Sequence, residues 1–342
     1  NLNGVDMASR DQANRILLPQ KISQAEAKVQ ALRATFKMNP SEYYRHDRVP
    51  KSKVAVNSEL EWEEKRLADL KAVRSTLEEN EKDRQSDPSI PRRGLVYMDD
   101  SKKDDRVKVA ISTGDVDHAK HVSTILPGMN NVPSEDIKDH VKNAELVNKH
   151  AADNAHISQD QVATIAWMYD TPQGGQVVSS KYATKASHEI GSALEGMHAF
   201  RHTNGIERAH TSLLGHSYGS TTAGKVAKMV RKGVLDDLVM YGSPGAGAHD
   251  AREYNLDHGR PYVSGIKSDD AVKGKGTLNS KFGNNPMFMP GVKHLANNSE
   301  RDRSFFIPWK MFDRHSEYLE EGTSSLEDIS RVVTNVPVKG EK

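Results

Sequence analysis

The chain has 342 residues, enough for one large α/β domain or two modest ones. Its net charge is +1, and its basic residues do not gather in one block, so nothing points to a nucleic-acid or membrane-surface partner. With no cysteine, a thiol nucleophile, a disulfide framework and a thiolate zinc site are excluded, and no stretch approaches the ~20 apolar residues of a membrane span.

The chain opens Asn1-Leu2-Asn3-Gly4, without Met and without a charged-then-apolar leader. It reads as a processed or trimmed product, and cytoplasmic and secreted settings both fit. Residues 5–37 and 56–85 read as helices. In the second, Leu60, Trp62, Leu67, Leu70, Val73 and Leu77 form an apolar stripe on a charged rod. Such a stripe packs on the main domain or on the neighbouring helix, or docks a partner protein. Ser86-Asp87-Pro88-Ser89-Ile90-Pro91-Arg92-Arg93-Gly94 then breaks the helical pattern. The division is therefore 1–93, a helical N-terminal extension, and 94–342, the main domain.

Beyond the break, candidate strands at 94–98, 107–112, 121–126, 162–168, 209–214, 237–241 and 262–266 alternate with candidate helices at 134–153, 178–202, 219–232 and 324–334. That alternation predicts a mostly parallel sheet flanked by helices. Pro133-Ser134-Glu135-Asp136 reads as a capped helix start with Ser134 as the cap, and Gly233 as a helix stop.

Between the strand at 209–214 and the helix at 219–232 stands Gly215-His216-Ser217-Tyr218-Gly219. Gly-x-Ser-x-Gly arises by chance in roughly one chain in ten of this length, so the motif alone is modest evidence. Its context strengthens it: an apolar strand leads in, and a helix rich in small residues leads out. Such a turn projects a serine hydroxyl from the sheet edge, and the helix start favours developing negative charge. The competing reading is a glycine-rich turn in which Ser217 only caps the helix.

In an α/β-hydrolase the order is serine, acid, histidine. After the strand at 262–266 come Asp269 and Asp270; Asp270 is the preferred acid and Asp269 the alternative. Only His294 and His315 follow; His315 is the preferred base and His294 the alternative. The oxyanion donors are the Tyr218 N–H and, from the Pro127-Gly128 loop, the Met129 N–H, with Asn130 as a further side-chain donor or a plain turn residue. His118 with His121, and His249 with His258, have no metal-site spacing. No metal and no cofactor are expected. Residues 273–308 read either as an anchored surface loop or as a cap whose Phe282, Met287, Phe288 and Met289 line an acyl site.

Several segments together resemble the actinobacterial α/β-hydrolase family called domain of unknown function 1023. They are Ser9 to Arg15, Ile111 to Ala119, Leu126 to Asn130, Gly215 to Ser220, Tyr241 to Gly245 and His315 to Leu319. The resemblance implies an α/β-hydrolase fold with a helical N-terminal extension and a Ser217, Asp270, His315 triad. In the family the acid is often followed by Pro; here Ala271 follows, so Asp269 stays a candidate. The expected activity is hydrolysis of a carboxylic ester, lipid-like in one version, through an acyl-enzyme. The alternatives are an acyltransferase with the same triad, or a non-catalytic binding or secretion-associated module on a hydrolase fold.

Overall fold

The computed structural model describes residues 4–37, 51–102, 104–257, 259–265, 281–296 and 315–340. Two long helices come first, α1 (Met7–Lys37) and α2 (Lys51–Ser86). An eight-stranded sheet follows, with its helices: β1 (Arg93–Asp99), β2 (Lys108–Thr113), β3 (His121–Leu126), α3 (Pro133–Ala155), β4 (Val162–Met168), α4 (Lys181–Thr203), β5 (His210–His216), α5 (Tyr218–Met229), β6 (Asp237–Tyr241), β7 (Pro261–Ser264), β8 (Lys293–His294) and α6 (Ser324–Val333). The strand order is β1-β2-β4-β3-β5-β6-β7-β8. β1 with β2 and β2 with β4 are antiparallel; all other pairs are parallel.

The predicted fold class is the observed one. The central strands read as unbroken apolar runs because helices cover both faces, and all seven residues of β4 are buried. One face packs Ile190, Leu194, Met197 and Val226 from α4 and α5 against Val122, Ile165 and Leu213. The other packs Ile137, Val141, Val147, Ile329 and Val333 from α3 and α6 against Val109, Ile111 and Ile125.

The helical arm belongs to that second core. Met7, Asp11, Asn14, Leu18, Ile22, Ala25, Val29 and Leu32 are buried along α1 at spacings of three and four, the inward stripe of a helix. Leu18, Ile22, Leu70, Val73 and Leu77 share one apolar cluster with Val107, Ile111 and Ile137. Of the α2 stripe, Leu70, Val73 and Leu77 are thus buried inside the protein, and Leu60, Trp62 and Leu67 are half-buried. Polar groups fix the seam: Asp69, fully buried, holds Arg106 and accepts from the Val107 and Ser134 amides at 3.2 and 3.0 Å. No helix among the described residues is long and apolar enough to cross a membrane.

Two helix boundaries differ from the expectation. Val132, not Ser134, is the N-cap of α3, with Pro133 at the first helical position. Asp136 reaches back to the Val132 amide at 2.6 Å, and Asp69 takes the Ser134 amide, so carboxylates from inside and outside the helix replace the serine cap. α5 stops at Met229 because Val230 turns extended, 1% exposed in the core; Gly233, at φ 93°, serves the turn beyond it.

Candidate active site

The parallel register brings the carboxyl ends of four strands to one edge. Leu126 of β3 stands opposite Gly215 of β5, His216 opposite Tyr241 of β6, and Tyr241 opposite Ser264 of β7. Open α/β sheets bind their ligands along such an edge. Ser217 is the first residue past β5, and its backbone is strained, with φ 50° and ψ −124°. A non-glycine residue holds that conformation only where its surroundings enforce it. The enforcing contacts are local. The Ser217 amide donates to the Tyr241 carbonyl at 2.9 Å, and the Ser220 hydroxyl lies 2.5 Å from the Ser217 carbonyl and 2.6 Å from the Ser243 hydroxyl.

The motif glycines have steric reasons. A Cβ on Gly215 would lie 2.6 Å from the Gly219 oxygen, and one on Gly219 would lie 2.5 Å from both the Leu126 and Pro127 oxygens. The second contact puts the start of α5 directly on the loop after β3. That loop passes over the serine: a Cβ on Gly128 would lie 3.0 Å from the Ser217 Cβ and 3.4 Å from its Oγ. Ser217 is only 7% exposed.

The two candidate oxyanion donors sit on either side of this contact. Tyr218 opens α5, and Met129 follows Gly128. Neither backbone N–H makes a hydrogen bond among the described residues. Asn130 sits in a turn: its φ is 61°, its amide donates to the Pro172 carbonyl at 3.0 Å, and its side-chain oxygen accepts from the Gly174 amide at 2.8 Å. Thr171 and Tyr169 add bonds to the Asn131 and Pro127 carbonyls.

His315 comes to the elbow. Its ring lies 4.7 Å from the ring of His216, centroid to centroid, and its carbonyl oxygen accepts from His216 Nε2 at 2.6 Å. His294 does not come close. It lies in β8, a strand absent from the expected set, opposite Val263 of β7. β8 is three strands from β5, about 14 Å at the usual interstrand spacing. Asp269 and Asp270, just beyond β7, lie outside the described residues.

Tyr218 organises the apolar side of the elbow. It is 1% exposed and clusters with Tyr182 and Ala183, and Met129, Val177 and Phe282 pack against them. Its hydroxyl donates to the Ser179 carbonyl at 2.6 Å and accepts from the Ala183 amide, and burial pushes its pKa up to about 12. Of the expected cap residues, only Phe282 reaches this cluster. Met289 is buried in the core beside α5, and Met287 packs against that core. Residues 284–292, at the described end of the connection from β7 to β8, are thus anchored in the core through Met289 and Val292, and Phe288 stands 83% exposed.

A cleft of about 470 Å³ opens at the opposite edge of the sheet, between the start of α1 and the loop after β2. Its buried acids are already engaged: Asp11 with Arg15, Arg92 and the Leu95 amide, and Asp117 with the first amides of α1. Among the described residues no cluster of three ligating side chains could hold a metal.

With this geometry in place, likeness to known proteins decides the family. A family model described as "Alpha/beta hydrolase" matches residues 102–280, more than half of the chain. This chain belongs to the alpha/beta hydrolase family. Uncharacterized protein Rv0963c of Mycobacterium tuberculosis is 29% identical over 242 residues, covering 68% of this chain and 84% of that one. Uncharacterized protein Rv2079 of the same organism is 34% identical over 186 residues, 51% of this chain and 26% of that one. Similar solved structures include an esterase from Pyrobaculum calidifontis (11% identity, TM-score 0.40, 77% of this chain and 93% of that one). A dienelactone hydrolase from Anabaena variabilis is another (10% identity, TM-score 0.36, 72% and 96%).

Sequence reasoning named the hydrolase turn and missed the groups that hold it. His216, Ser220 and Ser243 have a visible signal, since each lies inside a segment that carries the family resemblance, but hydrogen bonds among residues 217, 220 and 243 leave no spacing to read.

Proposed function

We propose that the protein is a serine hydrolase of carboxylic esters. Ser217 attacks the ester carbonyl carbon as His315 takes its proton, and Asp270, or Asp269 in its place, accepts from the far N–H of the His315 ring and so holds it in the tautomer whose Ser-facing nitrogen is free to accept that proton. The Tyr218 and Met129 amides receive the oxyanion. His315 returns the proton to the leaving alcohol, and water then attacks the acyl-enzyme through the same groups in reverse. The single observation that carries the reading is the strained Ser217 turn, with the Gly128 loop lying over its hydroxyl.

The apolar wall of Met129, Val177 and Phe282 around Tyr218 supports an acyl group of hydrocarbon character. A series of p-nitrophenyl esters from acetate to laurate tests this reading. The expected result is turnover that rises beyond acetate, is lost in Ser217→Ala and His315→Ala, and yields free acid. Transfer of the acyl group to an added alcohol, with no free acid, would assign the same residues to an acyltransferase. A well-folded wild type with no turnover and no acyl-enzyme across the series would contradict both.

A further inference from the structure

We infer that His216, the residue before the nucleophile, is a positioning residue that locks the base histidine onto the elbow. The inference rests on the serine-hydrolase reading and adds a part to it. A carbonyl oxygen can only accept, so the 2.6 Å contact between His216 Nε2 and the His315 oxygen requires a proton on Nε2. The ring stacks on Tyr241 at 5.2 Å and 25°, and Tyr318 closes in at 6.1 Å. Tyr241 is also the residue whose carbonyl receives the Ser217 amide. At the other end of the ring, a Cβ on Gly128 would lie 3.6 Å from His216 Nδ1.

One imidazole therefore touches three parts of the site: the loop over the serine, the strand that fixes the serine backbone, and the base. It is joined to Ser217 by a single peptide unit, so its place is set by the same strained turn. His315 lies just before a short turn, Glu317–Leu319, rather than within a long element, so an outside anchor helps fix its orientation. His216 supplies that anchor to the backbone, and its ring face supports the His315 ring at 4.7 Å. Catalysis depends on this because a catalytic group displaced by ~1 Å costs up to about 100-fold in rate.

Two substitutions separate positioning from simple packing. His216→Phe keeps the aromatic stack and removes the donor; His216→Gln loses the ring and keeps an N–H near the Nε2 position. The rate of fluorophosphonate labelling should fall at least about tenfold in His216→Phe and return to within about threefold of wild type in His216→Gln. Thermal melts confirm that both fold. A packing role gives the reverse order, with Phe active and Gln impaired, and would overturn the inference. A second readout does not need a reactive serine: with 15N-labelled histidine, His216 should show the Nε2–H tautomer with a slowly exchanging proton that is absent in His216→Phe. An Nδ1–H tautomer would sink the tether even if the protein labels well. A wild type that never labels, but shows the Nε2–H signal, would refute the hydrolase reading and leave the tether standing.

Discussion

At the scale of single residues, the site is decided by what is missing from two side chains and by the strain in one backbone. Gly219 has no room for a Cβ, because two carbonyl oxygens of the β3 loop stand 2.5 Å from where it would be. Gly219→Ala should therefore push that loop away from Ser217. We expect a loss of about 1–3 kcal/mol in stability, typical of overpacking, together with slower serine labelling. Equilibrium unfolding in urea checks the first part; an unchanged midpoint would mean that the loop yields without cost. The glycines and the serine were legible because steric exclusion leaves its mark in the sequence. His216 stands in the motif, but no spacing reveals its role, since its partner is a backbone oxygen 99 positions away.

At the scale of elements, the strands were readable and their connections less so. Apolar runs such as 162–168 announce a strand covered on both faces, and the observed β4 has those bounds. β8 has only two residues and sits in a stretch rich in Gly, Asn and Pro, so no periodicity could reveal it. The segment after β4 has a property that no pattern shows. Burial pushes the Asp170 carboxyl up to about 6, with Asp105 adding to the shift, and one of its oxygens has no hydrogen-bond partner among the described residues. Thr171 and Pro172, directly after it, brace Asn131 and Asn130. A folded-state pKa above the usual 3.8 means that Asp170 supports the fold fully below pH 3.8 and loses that support as the pH rises through 6. Replacing it with asparagine should change little near pH 3.5 and stabilise the protein by roughly 2–3 kcal/mol at pH 8. Melting curves at both pH values test this; an equal effect at both would show that the carboxyl does not titrate across the window.

At the scale of the whole molecule, the helical arm and the sheet are one packed body on the α3 side. The sequence marked a change of pattern near residue 93, which is where the two helices end and the strands begin. It could not show that the inward stripes of both helices meet the sheet, because a stripe records burial and not the identity of its cover. Leu70 and Val73 are fully buried in the cluster that holds Val107 and Ile111. Removing residues 1–92 should uncover that apolar face, giving a chain that aggregates or binds a hydrophobic dye while the full chain does neither. A soluble, cooperatively melting 93–342 fragment would show the arm to be dispensable for folding.

The central claim is that Ser217 is an activated nucleophile. The most direct test is to treat the folded protein with a fluorophosphonate, measure the intact mass, and map the adduct by peptide sequencing. The account predicts one adduct per chain, on Ser217, lost in Ser217→Ala and sharply reduced in His315→Ala. An unmodified wild type, or an adduct on any other residue, would contradict it.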